Sequence, residues 1–397
     1  MTRLAWLDAL RGWAAVTVAV FHLSPAVLGG DRHLSLYHAF DLGRYGVLLF
    51  FLVSGYVIPM SLERHGSLRR FWTGRLLRIY PAYLVAAVVG LVLGAAGLLR
   101  MPAQLTTETA ASVAGHVTML QDLLGVRGVL RPFWTLSYEM VFYLLTAGLF
   151  AWGRHRWSAW WAAGLTAVAA VVALPDDLLG GTVGQRRITA VAVLVLLIGV
   201  VTAYLTESKA VSLVAAAGGL GAAALPLVNG SATGGVTGAS SAQATQMLAV
   251  MFAGTVLHRM RHRLIGRLPA AVALTVVLAG AAVHLGPAVV LAVAVTFGAG
   301  YALSERRPPA VLVWFGEVSY SLYLLHIPVL AVAVHVSDRP LIIALLFTAG
   351  ALGAAWAGHR YVERPAQALA RRLPVINIAT QGTDARTGSF GKRRESV

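Results

Sequence analysis

The sequence predicts an all-α polytopic membrane protein, a transmembrane helical bundle of about 10–12 spans with both termini in the cytoplasm. Three observations predict it. Of 397 residues, 58% are hydrophobic and only 12% charged. The apolar residues fall in blocks of about twenty, each long enough to cross ~30 Å of hydrocarbon as a helix. Strand-length alternation of apolar and polar residues is absent, which argues against a barrel. A chain in lipid must satisfy its backbone internally, and helices do so within each segment.

Twelve blocks qualify as spans, at about 10–29, 43–60, 79–99, 133–152, 158–174, 188–206, 211–228, 242–257, 269–285, 286–304, 316–336 and 340–358. The block 211–228 is the weakest, being mostly Ala and Gly, and only His284-Leu285-Gly286-Pro287 divides the ninth from the tenth. With the N-terminus inside, 24 of the 32 basic residues fall on the cytoplasmic side, as the positive-inside bias requires. The net charge of +16 therefore reads as topology control, not nucleic-acid binding. The chain contains no cysteine, so disulfides, thiolate nucleophiles and Cys metal sites are excluded. Residues 1–368 read as one membrane domain. Residues 369–397 read as a basic, disordered cytoplasmic tail.

The first span carries Arg11 and His22 in an apolar run. Eleven residues are close to three helical turns, so both side chains share a face, ~16 Å apart along the axis. Ionisable groups at membrane depth face a protein interior or a wet cavity. The second span contains Ser54-Gly55-Tyr56, whose small residues allow close helix approach. Between the second and third spans lies a basic cytoplasmic loop, 61–78. It ends in Arg75 and Arg78, three residues apart and on one helix face. Paired guanidinium groups suit phosphate recognition, and they equally suit topology control and anionic lipid.

Glu139 is the one carboxylate well inside the fourth span, which opens Trp134-Thr135-Leu136-Ser137-Tyr138-Glu139. Counting from the span ends places Glu139 ~9 Å below the outer boundary and His22 ~12 Å below it. The expectation is that Glu139 orients His22, or supports its imidazolium, in a general-base arrangement. The eleventh span adds Tyr320 and a second intramembrane histidine, His326. The close i,i+4 spacing of zinc motifs is absent, so no metal is expected. The uncharged loop 229–241 is expected outside. Asp176-Asp177 and the run His258–Arg263 read as ordinary loop charges.

Taken together, these features resemble membrane acyltransferase family 3, the bacterial O-acetyltransferase and macrolide acyltransferase group. The resemblance rests on Arg11-x10-His22, Gly46-Val47 through Phe50-Phe51 to Ser54-Gly55-Tyr56, and Arg75-Leu-Leu-Arg78-Ile-Tyr-Pro81. It continues in Trp134-Thr-Leu136-Ser-Tyr-Glu139, Ser319-Tyr320 to His326-Ile-Pro328, and Glu363-Arg-Pro365. It covers about residues 5–368. The family often has Asp after Gly-Val in the second span, where this chain has Leu48, and its core is usually ten spans. Some members carry an outside esterase-like domain; none is read here, which implies a stand-alone enzyme.

The resemblance implies transfer of an acyl group, foremost acetyl, from acyl-CoA to a hydroxyl of a glycan or small molecule, in the bacterial cytoplasmic membrane. It implies His22, Glu139 and Arg11 as catalytic, with Arg75 and Arg78 holding acyl-CoA. Ser54, Tyr56, Trp134, Tyr320 and His326 would contact substrate. The alternative reading is a secondary transporter, suggested by span count and intramembrane charge.

Overall fold

The computed structural model describes residues 4–206, 208–233 and 239–372. Among them every regular element is a helix. The helices that matter for the site are α1 (Ala5–Leu28), α2 (Gly30–Ala39), α3 (Leu42–His65), α4 (Leu68–Ala95), α5 (Thr109–Thr118), α6 (Trp134–Ala151), α7 (Ser158–Val171), α8 (Val183–Leu205) and α9 (Lys209–Gly221). They continue with α10 (Ser241–Arg261), α11 (Arg267–Leu285), α12 (Pro287–Ala302), α13 (Ala310–Val336), α14 (Pro340–Gly358) and α15 (Arg364–Arg372). Among the described residues, nine helices are long and apolar enough to cross a membrane, and α12 is a shorter apolar helix. The protein is a multi-pass helical bundle.

Each of the twelve expected spans coincides with a helix. The departures lie at the ends. The cytoplasmic loop 61–78 shrinks to Gly66 and Ser67. Gly66 closes α3 in the left-handed conformation (φ 64°), and the Ser67 hydroxyl accepts the Arg70 backbone N–H to start α4. Both are standard helix-end devices. Arg75 and Arg78 are therefore helical, and Arg75 is buried. The run His258–Arg263 is not all loop either: α10 continues to Arg261, with Arg259 buried and paired to Glu63 of α3. Asp176 is not a free charge; its carboxylate accepts the Ser241 backbone N–H at 2.6 Å. α15 runs to Arg372, so residues 369–372 of the expected tail are helical. Residues 373–397, and 234–238 of the loop 229–241, lie outside the described residues.

Two glycine contacts organise the bundle. α10 is too polar to count among the nine, with Gln243, Thr245 and Gln246 in its first turns, but it is buried on nearly all sides. It packs along α3, α7 and α11. At its crossing with α3, Gly55 and Gly254 let the backbones meet: a Cβ on Gly254 would come 2.8 Å from the Tyr56 nitrogen. Ser54 and Gly55 were read as close-packing residues, and Gly55 serves that purpose. The second contact joins α1 and α13. A Cβ on Gly12 would come 2.5 Å from the Gly316 nitrogen and 2.7 Å from the Phe315 carbonyl carbon. Ten residues beyond this contact on each helix lie His22 and His326, whose rings touch. The two helices therefore run parallel and in register.

One segment has no counterpart in the span reading. Residues 119–133, ahead of α6, are not a surface loop. Met119, Leu120, Gln121, Leu123, Leu124, Val126, Leu130 and Phe133 are all buried. Their backbone groups are met by side chains: Ser137 donates to the Met119 carbonyl at 2.9 Å, Gln121 to that of Phe133 at 2.9 Å, and Asn229 to that of Leu123 at 2.7 Å. Irregular backbone is tolerated at such a position only when protein satisfies it. Arg127 and Arg131 stay exposed, so the segment packs its apolar side chains inward while α6 starts close to the surface.

Candidate active site

α1, α3, α4, α6 and α13 surround a small, partly open cavity of about 20 Å³. Arg11, Arg75 and Arg78 line it together with Glu139, Ser54, Tyr143 and Tyr320; Phe50, Val57, Ile58 and Ile79 supply the apolar wall. Six of the residues singled out in the sequence thus meet in one place. Glu139 accepts hydrogen bonds from the Tyr143 hydroxyl at 2.7 Å and the Ser54 hydroxyl at 3.3 Å. The Arg75 guanidinium lies 5.4 Å from the Tyr143 ring centre and 5.5 Å from that of Phe71. Such cation–π contacts hold a guanidinium without neutralising it. Arg11 has Asp8 at 3.5 Å, one turn back on α1. The Tyr320 hydroxyl donates to the Ile79 carbonyl at 3.0 Å, which ties α13 to α4.

Charge decides what this cavity can hold. Three guanidinium groups face one carboxylate, and Asp8 compensates only Arg11. An excess of buried positive charge is costly unless an anionic partner completes it. A phosphate or another oxyanion meets that demand through charge-assisted, bidentate hydrogen bonds.

The second cluster lies further along α1. The His22 and His326 ring centres are 5.2 Å apart, with 34° between their planes. His326 is fully buried. Its Nδ1 donates to the Leu322 carbonyl at 3.2 Å, and its Nε2 has no partner. His22 is half-buried and flanked by Phe21 at 5.2 Å. No hydrogen bond or ion pair joins His22 to Glu139. The expected His22–Glu139 support is therefore corrected: Glu139 belongs with the arginines. Glu139 faces Arg11, near the start of α1, whereas His22 lies eleven residues further along that helix.

An aromatic pair links the two clusters. Phe50 lines the charged cavity and stacks on Tyr323, with ring centres 6.1 Å apart and planes at 16°. Tyr323 is in turn 6.0 Å from His326, and its hydroxyl shares a 2.9 Å hydrogen bond with Thr135. Sequence reading gave no role to Phe50, Tyr143 or Tyr323. Tyr143 carried a signal, lying one helical turn after Glu139. Phe50 and Tyr323 carried none that separates them from ordinary apolar packing.

Two expected site residues fall elsewhere. Tyr56 is buried against Trp6, Phe297 and His258, on the side of α3 away from the cavity. Trp134 packs on Phe51 and Tyr138 and does not line the cavity. Among the described residues, no three His, Asp or Glu side chains are grouped as a metal site needs.

A family profile described as "Acyltransferase domain" matches residues 4–360. The chain belongs to this acyltransferase family 3. Curated relatives include acyltransferase MdmB of Streptomyces mycarofaciens, 31% identical over 44% of this chain and 46% of that protein. Nodulation protein 10 of Rhizobium leguminosarum bv. viciae is 33% identical over 41% of this chain and 47% of its own length. O-acetyltransferase OatA of Staphylococcus aureus is 26% identical over 38% of this chain and 26% of its own length. The matched part of the chain thus spans about half, or less, of these relatives. No solved structure matches it.

Proposed function

We propose that this family member is an integral membrane O-acyltransferase of the bacterial cytoplasmic membrane. It moves an acyl group, acetyl foremost, from acyl-CoA to a hydroxyl of a carbohydrate, glycoconjugate or small natural product. The observation that carries the reading is an under-neutralised arginine cavity and a histidine pair with one free buried nitrogen, joined by α1, which contributes Arg11 to the first and His22 to the second. The family match supports transfer chemistry over the transporter alternative, and OatA is named an O-acetyltransferase.

Acyl-CoA combines several phosphate charges with a long neutral arm. Arg11, Arg75 and Arg78 suit the charged part. The arm passes Phe50 and Tyr323, and the thioester comes to His22. There His22 takes the proton of the acceptor hydroxyl as general base. The acceptor oxygen attacks the thioester carbonyl, the C–S bond breaks, and the departing thiolate recovers the proton from His22. Glu139 tunes and orders the arginines.

Open membrane fragments from cells expressing the protein, supplied with radiolabelled acetyl-CoA, test the reading. Label should pass into the glycan, lipid or small-molecule fraction, and His22→Ala should abolish that passage. Equal incorporation by wild type, His22→Ala and empty-vector membranes would sink the proposal.

A further inference from the structure

The geometry points to His326 as the positioning residue that holds the His22 imidazole for proton transfer; the inference rests on His22 being the general base. His326 is enclosed on all sides, yet one of its two ring nitrogens is unpartnered. The other, Nδ1, is held by the Leu322 carbonyl one turn back at 3.2 Å. A carbonyl only accepts, so Nδ1 carries the hydrogen and Nε2 presents a lone pair. A buried acceptor left without a donor costs stability, so it calls for a donor nearby. The imidazole in contact with it is His22, with ring centres 5.2 Å apart. A turn of the half-buried His22 ring about its own side-chain bonds would bring its edge to Nε2.

The resulting chain is His22 N–H to His326 Nε2, then His326 Nδ1–H to the Leu322 carbonyl. It leaves the second nitrogen of His22 as a free lone pair facing the acceptor. When that nitrogen takes the hydroxyl proton, the positive charge on His22 is met by a neutral, fixed acceptor. The proton on the far nitrogen does not move; the proton taken from the hydroxyl passes from the near nitrogen to the departing thiolate. This is the role that a buried carboxylate plays in hydrolase triads, where it sets the tautomer and orientation of the base. The placement follows from the glycine contact at Gly12 and Gly316, which brings α1 and α13 together so that position 22 meets position 326. Tyr323, hydrogen-bonded to Thr135, packs on the other side of His326 and limits its rotation.

The test compares His326→Phe, which keeps a ring and loses the acceptor, with His326→Gln, whose side-chain carbonyl oxygen can accept in place of Nε2. Open membrane fragments with radiolabelled acetyl-CoA give initial rates. His326→Phe should lower kcat about 10- to 100-fold, the loss typical when a histidine loses the group that orients it, with the KM for acetyl-CoA unchanged. His326→Gln should recover to within a few-fold of wild type. The inference is overturned if His326→Phe is as active as wild type. It is overturned also if Phe and Gln variants lose equally, since that reports packing alone, or if the loss appears in KM. Parallel rates for His22→Ala separate the two levels. An active His22→Ala removes the general-base reading and this inference with it. An inactive His22→Ala beside a fully active His326→Phe removes only the inference.

Discussion

The arginine cavity and the histidine pair share one helix, α1, through Arg11 and His22, and they solve opposite problems. Around Glu139, polar groups are densely paired: Tyr143 and Ser54 on the carboxylate, aromatic rings on Arg75, Asp8 behind Arg11. The cavity is firmly built but carries surplus positive charge. Around His22, the groups are neutral and sparsely paired, with one buried nitrogen free. The first arrangement suits holding an anion in both ground and transition states. The second suits a group whose bonding must change during the reaction. The proposed function accordingly divides binding from chemistry along α1, with the Phe50–Tyr323 stack between them.

That division can be broken by kinetics, because loss of uniform binding raises KM while loss of a transition-state interaction lowers kcat. The largest effect is expected at the chemical end. His22→Ala should lower kcat by about 10²–10⁴, the usual worth of a positioned base, while equilibrium binding of acyl-CoA to the purified protein stays near wild type. A parallel collapse of binding would mean that the two clusters are one site.

Next come the arginines. Arg75→Ala and Arg78→Ala should each raise the acyl-CoA constant about 10- to 100-fold, since a hydrogen bond to a charged group contributes roughly 1.5–3 kcal/mol. The acceptor constant should hold. An unchanged acyl-CoA constant in both variants would reduce the arginines to topology and lipid contact.

Glu139→Gln sharpens the comparison further. Had Glu139 supported His22, the variant would lower kcat. Placed among the arginines, it should instead change the acyl-CoA constant, by about 10-fold or less, and leave the His22 step intact. The amide oxygen still accepts from Tyr143, so thermal stability in detergent should change little. A kcat defect with normal acyl-CoA binding would return Glu139 to the chemical end.

The smallest effect concerns the link. Phe50→Ala opens the wall between the clusters, so the rate with hexanoyl-CoA relative to acetyl-CoA should rise several-fold. An unaltered ratio would show that the acyl chain takes another path.

Much of this was legible in the residues. The close-packing role of Gly55 and the short Gly286-Pro287 break follow local rules for small residues and helix ends. Arg11 and Glu139 stood out as charges in apolar runs, and Arg75 and Arg78 as a pair closing a basic loop. What misled was the step from chain position to depth. Glu139 and His22 counted to nearly one level, but such a count does not fix the offset between two helices, and Glu139 packs beside Arg11 instead.

By itself, the sequence determined relations within a helix. Arg11 and His22 share a face because eleven residues make close to three turns, and Tyr143 reaches Glu139 because four residues make one. It also determined that the chain is a membrane bundle, since apolar length and backbone satisfaction allow little else. Only the tertiary structure decided relations between helices: Glu139 with three arginines, His22 with His326, Tyr56 and Trp134 turned into packing. These depend on register and rotation where helices cross, set by glycine contacts such as Gly12 on Gly316 and by backbone folded into the bundle ahead of α6. In lipid, apolar faces gain little by choosing one apolar neighbour over another, so close small-residue contacts and satisfied polar groups make the choice. Such contacts join residues hundreds of positions apart, and no periodicity along the chain records them.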